Sequence, residues 1–374
     1  MSKLLSLAAV LLFSLQGFAR ADSAAAGQAI AAALNKRDVE ALYRLLDVDA
    51  VTRMVVKDLG LKDADREGIR KSFPRALRSN LEIGVRTIEN TKGSAKYMRS
   101  GTREAKPYAL VRYDLGEQGI DYVEYYLTPG RKVEDWYVHS LATLYSTSAR
   151  LGLATLLKTD TMLFALLGTR LTTQADVKPF RDLRERLQAQ DFAGAYRALE
   201  TFPEGFRKTR QWALMRVTYG GRVDEATHRA ALRYLAQNFG KEAELQFMLI
   251  DHYVFEQQPE RALASLGALE RAIGGEDAAT ANLRSKILLV SRRIDDAAKA
   301  CRRGMAIEPD HKQGYWCLVE VGLETKNGKL AVEGLKAYET AFNTEFDLEK
   351  LGKLDPYKEI ARTPEFVAWR KSRR

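Results

Sequence analysis

Hydrophobic and polar positions alternate with three different periods along this chain. From residue 24, "AAAGQAIAAALNKRDVEALYRLL" places Ala and Leu at helical spacing, with Lys36-Arg37-Asp38 breaking it into two helices. Asp47 and Asp49 in "LLDVDAVTRMVVKDLG" predict a turn into a further helix that ends at Gly60. In "KDADREGIRKSFPRALRSNLEIGV" the stripe Ile69, Phe73, Leu77 and Leu81 marks a buried helix face, and Pro74 predicts a kink. Between 94 and 140 the period changes. The segment is rich in Tyr and Val, and turns at Gly116–Gly119 and Thr128–Arg131 divide it into strands near 95–104, 107–115, 120–128 and 132–140. Helices followed by a meander of hairpins define an α+β domain over 22–150, the helices layered on one face of a curved antiparallel sheet.

Residues 151–175 form an apolar connection. Lys158 and Asp160 interrupt it, so it reads as a buried connecting helix rather than a membrane span; a membrane-contacting helix is the alternative. Beyond 175 the helical period persists to the end. Small residues opening successive second helices, Ala195, Ala226, Ala262, Ala297 and Ala331, recur at intervals of 31, 36, 35 and 34. A small side chain at that point lets two antiparallel helices approach, and Pro309 closes the unit built on Ala297. The first two units lack the aromatic and Gly positions of the later ones. Residues 346–374 read as a capping segment that shields the last apolar face.

These patterns carry two resemblances. Residues 24–150, through "LLDVDAVTRMVVKDLG", "SFPRALRSNL" and "KVEDWYVHSLATLYSTSAR", resemble the nuclear-transport-factor-2-like superfamily and the periplasmic phospholipid carriers that share its cone. Residues 176–345 resemble tetratricopeptide repeats, which implies an all-α solenoid with a groove lined by first helices. In that register the groove positions are Phe247, Asp251, Phe255, Asn282, Lys286, Trp316 and Glu320, a mixture of aromatic and charged side chains suited to a peptide or partner helix. Phe247 and Trp316 also fit an inter-repeat core.

Composition changes the picture in one respect, the compartment. Residues 1–21 carry Lys3, an apolar run and Ala19-Arg20-Ala21, the pattern of a cleaved secretory signal, which predicts a periplasmic protein. The signal segment holds Lys3 and Arg20 and no acid, so the formal charge of +10 falls to +8 without it. Nucleic acid is set aside as a partner in that compartment. Anionic lipid or another envelope component suits the basic balance, with the helix bearing Arg66, Arg70, Arg75 and Arg78 as its candidate contact, although such a pattern also describes a solvated face. Cys301 and Cys317 can form a disulfide there if their Cα atoms lie within about 7 Å; otherwise they are two small buried apolar residues.

The chemistry-bearing stretch is "VEDWYVHSLATLYS", 133–146, where Asp135, His139 and Ser140 are the residue types of a hydrolase triad. On a strand Asp135 and His139 stand about 13 Å apart, and His139 and Ser140 point to opposite faces, so a local triad is excluded. Tyr137 and His139, with Tyr108 or Tyr125 from neighbouring strands, are candidates for a ligand cavity; Trp136 and Val138 are candidates for the core. No phosphate-binding loop, His-Glu-x-x-His or Cys-x-x-Cys is present, and no cofactor, metal or catalytic residue is assigned. The expected protein is a non-enzymatic periplasmic scaffold whose repeat groove recruits a protein partner in envelope assembly or maintenance. A carrier of lipid or another small apolar ligand is the alternative, and a hydrolase the third.

Overall fold

The computed structural model describes residues 23–57, 59, 61–156 and 174–373. The expected signal segment, Gly60 and most of the apolar connection, 157–173, lie outside them. Contacts divide the chain into two compact units, at Phe239/Gly240.

The first unit begins with four helices: α1 over 23–35, α2 (Val39–Leu45), α3 (Val48–Val56) and α4 (Asp63–Asn90). Asp38 and Asp47 explain two of the boundaries. Each accepts a backbone N–H three residues on, from Ala41 at 2.8 Å and Ala50 at 2.9 Å, which satisfies donors the helix itself cannot. Arg37 turns the chain through φ 58° between α1 and α2 and donates to the Gly93 carbonyl at 2.9 Å. α4 runs through Pro74 without a break, and Ile69, Phe73, Leu77, Val85 and Ile88 are buried along it.

Five strands follow in sequential antiparallel order: β1 (Ser94–Arg103), β2 (Lys106–Asp114), β3 (Ile120–Leu127), β4 (Val133–Val138) and the short β5 (Thr143–Leu144). The Asn35 amide pairs both ways with the Ala95 backbone at 2.8 Å, tying the end of α1 to β1. Asp47 donates its N–H to the Val133 carbonyl at 2.9 Å, tying the start of α3 to β4. Val111, Val123, Tyr125, Leu127 and Val133 meet the helix layer in one continuous core. α5 (Tyr145–Leu156) leads out of the sheet.

Among the described residues, five helix hairpins follow. They pair Gln174–Gln188 with Phe192–Leu199, Arg210–Gly220 with Glu225–Phe239, Gln246–Phe255 with Pro259–Ile273, Ala278–Val290 with Ile294–Ile307, and Lys312–Glu324 with Gly328–Phe342. The first two belong to the first unit; Phe180 and Trp212 of these hairpins, with Phe202 and Phe206 of the segment between them, belong to the same buried apolar cluster as the sheet and its helices. The last three belong to the second. Four hairpins turn through a non-Gly residue at positive φ, namely Gln190, Gln257, Arg292 and Lys326, so the same left-handed step recurs from hairpin to hairpin.

Ala195, Ala262, Ala297 and Ala331 are fully buried at the helix crossings. At the last crossing a Cβ on Gly322 would stand 2.4 Å from the Ala331 backbone nitrogen, which shows how close the two helices come. Ala226 is corrected: it is exposed at the start of its helix, and the close approach there is made by Gly220 against Thr227 and His228. C-terminal to the last hairpin, Leu348–Leu351 and Pro364–Lys371 lay Leu348, Phe366 and Trp369 on Val319, Val332 and Leu335. Among the described residues no helix is long and apolar enough to cross a membrane.

Candidate functional site

Strand alternation sorts the candidate side chains of the sheet onto two faces. Tyr125 opposes Trp136 and faces the helices; Tyr126 opposes Tyr108, and Glu124 opposes Tyr137, on the other face. Trp136 and Val138 pack against the core under the helices. His139 lies one residue past β4, where it opens a short 3-10 turn.

That other face is built around Glu124, which is 0% exposed. Its Oε1 meets Arg103 Nη2 at 2.9 Å and His139 Nε2 at 3.0 Å, and its Oε2 accepts from the Tyr126 hydroxyl at 3.0 Å. Tyr137 meets His139 edge to face at 5.0 Å between centroids. Arg112 is also fully buried and reaches Asp114 at 3.2 Å. The triad residue types are all engaged elsewhere. Ser140 gives its hydroxyl to Asp121 at 2.5 Å, and Ser146 gives its hydroxyl to Asp135 at 2.5 Å. Burial raises the carboxyl pKa of both aspartates, and these serine hydrogen bonds oppose the shift.

Between helices and sheet lies a cavity of about 180 Å³, lined by Leu34, Leu42, Leu81, Tyr125, Trp136 and Tyr145 among others. Of the four residues expected in a ligand cavity, Tyr125 alone lines it. Tyr108, Tyr137 and His139 stand on the opposite side of the sheet, because their register places them one residue out of phase with Tyr125. Polar atoms at the cavity are paired: the Tyr113 and Tyr125 hydroxyls bond to each other, and Asn80 donates to the Tyr145 hydroxyl at 2.9 Å. A second cavity of about 510 Å³ is bounded by Leu141, Thr143, Leu183, Leu187, Leu214 and Tyr219, among others. Its walls come from segments far apart in sequence, and no local motif announces it.

Burial pushes the Tyr125 phenol up to about 12, against the lowering effect of its bond to Tyr113; Tyr113 is raised well above its ordinary value, first by burial and then by Tyr125. The unfolded chain therefore loses these protons first as pH rises. The stability the pair contributes is complete below about pH 10 and is lost as pH climbs toward 12. Tyrosinate absorbance should show these phenols titrating only with alkaline unfolding, and Tyr113→Phe/Tyr125→Phe should flatten the loss. Titration of every tyrosine near pH 10 in folded protein would contradict this.

In the second unit, Asp251 and Lys286 are exposed, and Phe247, Phe255, Trp316 and Glu320 are half-buried. Asp251, Lys286 and Glu320 occupy equivalent places on the first helices of three successive hairpins. Asn282 is corrected: it is buried, its amide oxygen directed at Gly304 of the paired helix, so it belongs to the hairpin interior. Trp316 packs on Tyr338 and Phe346, with centroids 5.3 and 6.0 Å away. Cys301 and Cys317 are joined, with Cα atoms 5.5 Å apart, linking the second helix of one hairpin to the first helix of the next. On α4, Arg66, Arg70 and Arg75 are exposed, and Arg78 pairs with Glu40 at 2.8 Å over the Tyr43 ring.

The class this fold defines is a protein of successive helix hairpins preceded by helices and a five-stranded antiparallel sheet. No protein-family model matches the chain, and no curated protein matches it. Among solved structures, MamA of AMB-1 is 13% identical with a TM-score of 0.32, covering 47% of this chain and 96% of its own. PilW, titled a widely conserved type IV pilus biogenesis factor, is 13% identical with a TM-score of 0.33, covering 53% and 99%. Likeness at that level adds nothing to what the hairpins themselves show.

Proposed function

We propose that this is a periplasmic, non-enzymatic scaffold protein whose C-terminal hairpins recruit a protein or peptide partner in envelope assembly or maintenance. The observation that carries this reading is the recurrence of Asp251, Lys286 and Glu320 at equivalent positions of three successive hairpins, beside half-buried aromatics. Charges that alternate in sign at one place on successive repeats give register to an incoming segment. Crosslinking pull-down from periplasmic extract tests the scaffold. Asp251→Lys with Lys286→Glu should lose the partners captured by the natural protein, and recovery of the same partners would refute the groove.

The cavity favours a second reading, in which the N-terminal part is a nuclear-transport-factor-2-like cone holding a small apolar ligand. A dry apolar cavity of about 150 Å³ accepts a benzene-sized molecule, so about 180 Å³ suits one ring or a short branched chain; a diacyl lipid would need the helices to part. Mass spectrometry of a solvent extract of purified protein should detect one such compound at stoichiometric level. A clean extract would remove this reading.

A further inference from the structure

We propose that Trp316, Glu320 and Tyr357 form a seat for a basic side chain, preferably arginine, on the segment that the hairpins recruit. This rests on the scaffold reading and names the chemistry of its partner. Trp316 and Glu320 are one turn apart on Lys312–Glu324 and share a helix face. The indole sits with Phe346 and Tyr357 on the apolar cluster that the C-terminal segment covers. Glu320 is close enough to Tyr357 for its charge to add to the burial that raises that phenol.

Glu320 is half-buried, and among the described residues its hydrogen-bond partner is the Gln313 amide, at 3.4 Å; no ion pair to it is formed there. Several cations of the second unit are directed elsewhere. Lys358 pairs with Asp355, Lys326 with Glu359, Lys350 with Asp347 and Arg373 with Glu339, while Lys312 lies 5.4 Å over the Phe342 ring. The seat thus combines a carboxylate with the electron-rich faces of aromatic rings and supplies no cation of its own. An anion would be repelled by Glu320. A neutral apolar group would cover the carboxylate without replacing its water. A guanidinium meets both requirements, since it stacks on a ring and forks onto a carboxylate.

The test uses the full chain and two peptides, acetyl-Gly-Arg-Gly amide and the same peptide with citrulline, which keeps the shape and removes the charge. The indole N–H resonance of Trp316, assigned with Trp316→Phe, reports binding. The arginine peptide should move it saturably, more weakly at high salt, and Glu320→Gln should lower the affinity about tenfold. Equal response to arginine and citrulline, or no response to arginine, overturns the seat without recourse to any variant. Loss of pull-down partners on Asp251→Lys with Lys286→Glu, two positions outside the seat, would then show that the scaffold reading survives its failure.

Discussion

Replacing both Cys301 and Cys317 with alanine is expected to destabilise the second unit by about 3 kcal/mol, the entropy that a loop of this size returns to the unfolded chain. The sequence separation is 16 residues, and the bond joins consecutive hairpins rather than the two helices of one. It therefore holds a repeat interface, where a helical array otherwise relies on nearest-neighbour packing alone. The site adds to the cost. Cys301 is fully buried and Cys317 nearly so, among Leu288, Ala297, Leu318 and Val321, and two alanines leave that space partly unfilled. A thermal midpoint lower by about 10 °C follows for a unit of this size. Trp316 and Trp369 both lie in this unit, so their fluorescence during denaturant unfolding can follow the change. Reductant should lower the midpoint of the natural protein in the same direction. A loss below about 1 kcal/mol would mean that hairpin packing alone sets the stability of this interface.

Much of this architecture is written locally. The strands expected near 95–104, 107–115, 120–128 and 132–140 lie within two residues of β1 to β4 at each end, because period-two alternation and Gly-Pro turns are properties of adjacent residues. β5 escaped notice, since two residues show no period. The repeat is legible through buried Ala262, Ala297 and Ala331, where helix crossing demands a small side chain. Ala226 matched the interval without the packing, and the crossing in that hairpin rests on Gly220 instead. Asn282 shows the same limit from the other side. Register placed it on an open face, but Gly304 lets the paired helix close over it. Which tyrosines share a cavity depended on the pairing of β2, β3 and β4, and pairing is a long-range property: one residue of phase sends Tyr125 into the helix layer and Tyr137 away from it.

The same phase produces the second large effect. Glu124→Ala is expected to destabilise the first unit by about 3 kcal/mol, because it removes the carboxylate that three side chains share in a buried site. Glu124 itself has no exposed surface, and its oxygens hold Arg103, His139 and the Tyr126 hydroxyl. Removing it leaves Arg103 facing a buried gap, although the Arg103 side chain is 38% exposed and water recovers part of the loss. His139, nearly buried between the Tyr122 and Tyr137 rings, has no such recourse and must give up a hydrogen bond. A double-mutant cycle separates these contributions. If Glu124 and His139 act as a pair, Glu124→Ala should cost at least 1 kcal/mol less in a His139→Ala background than in the natural protein, since the interaction is already gone. Additive losses would show that Arg103 and Tyr126 hold Glu124 without help from the histidine. A total loss under 1 kcal/mol for Glu124→Ala would mean that water enters this face of the sheet freely and that the cluster does not order it.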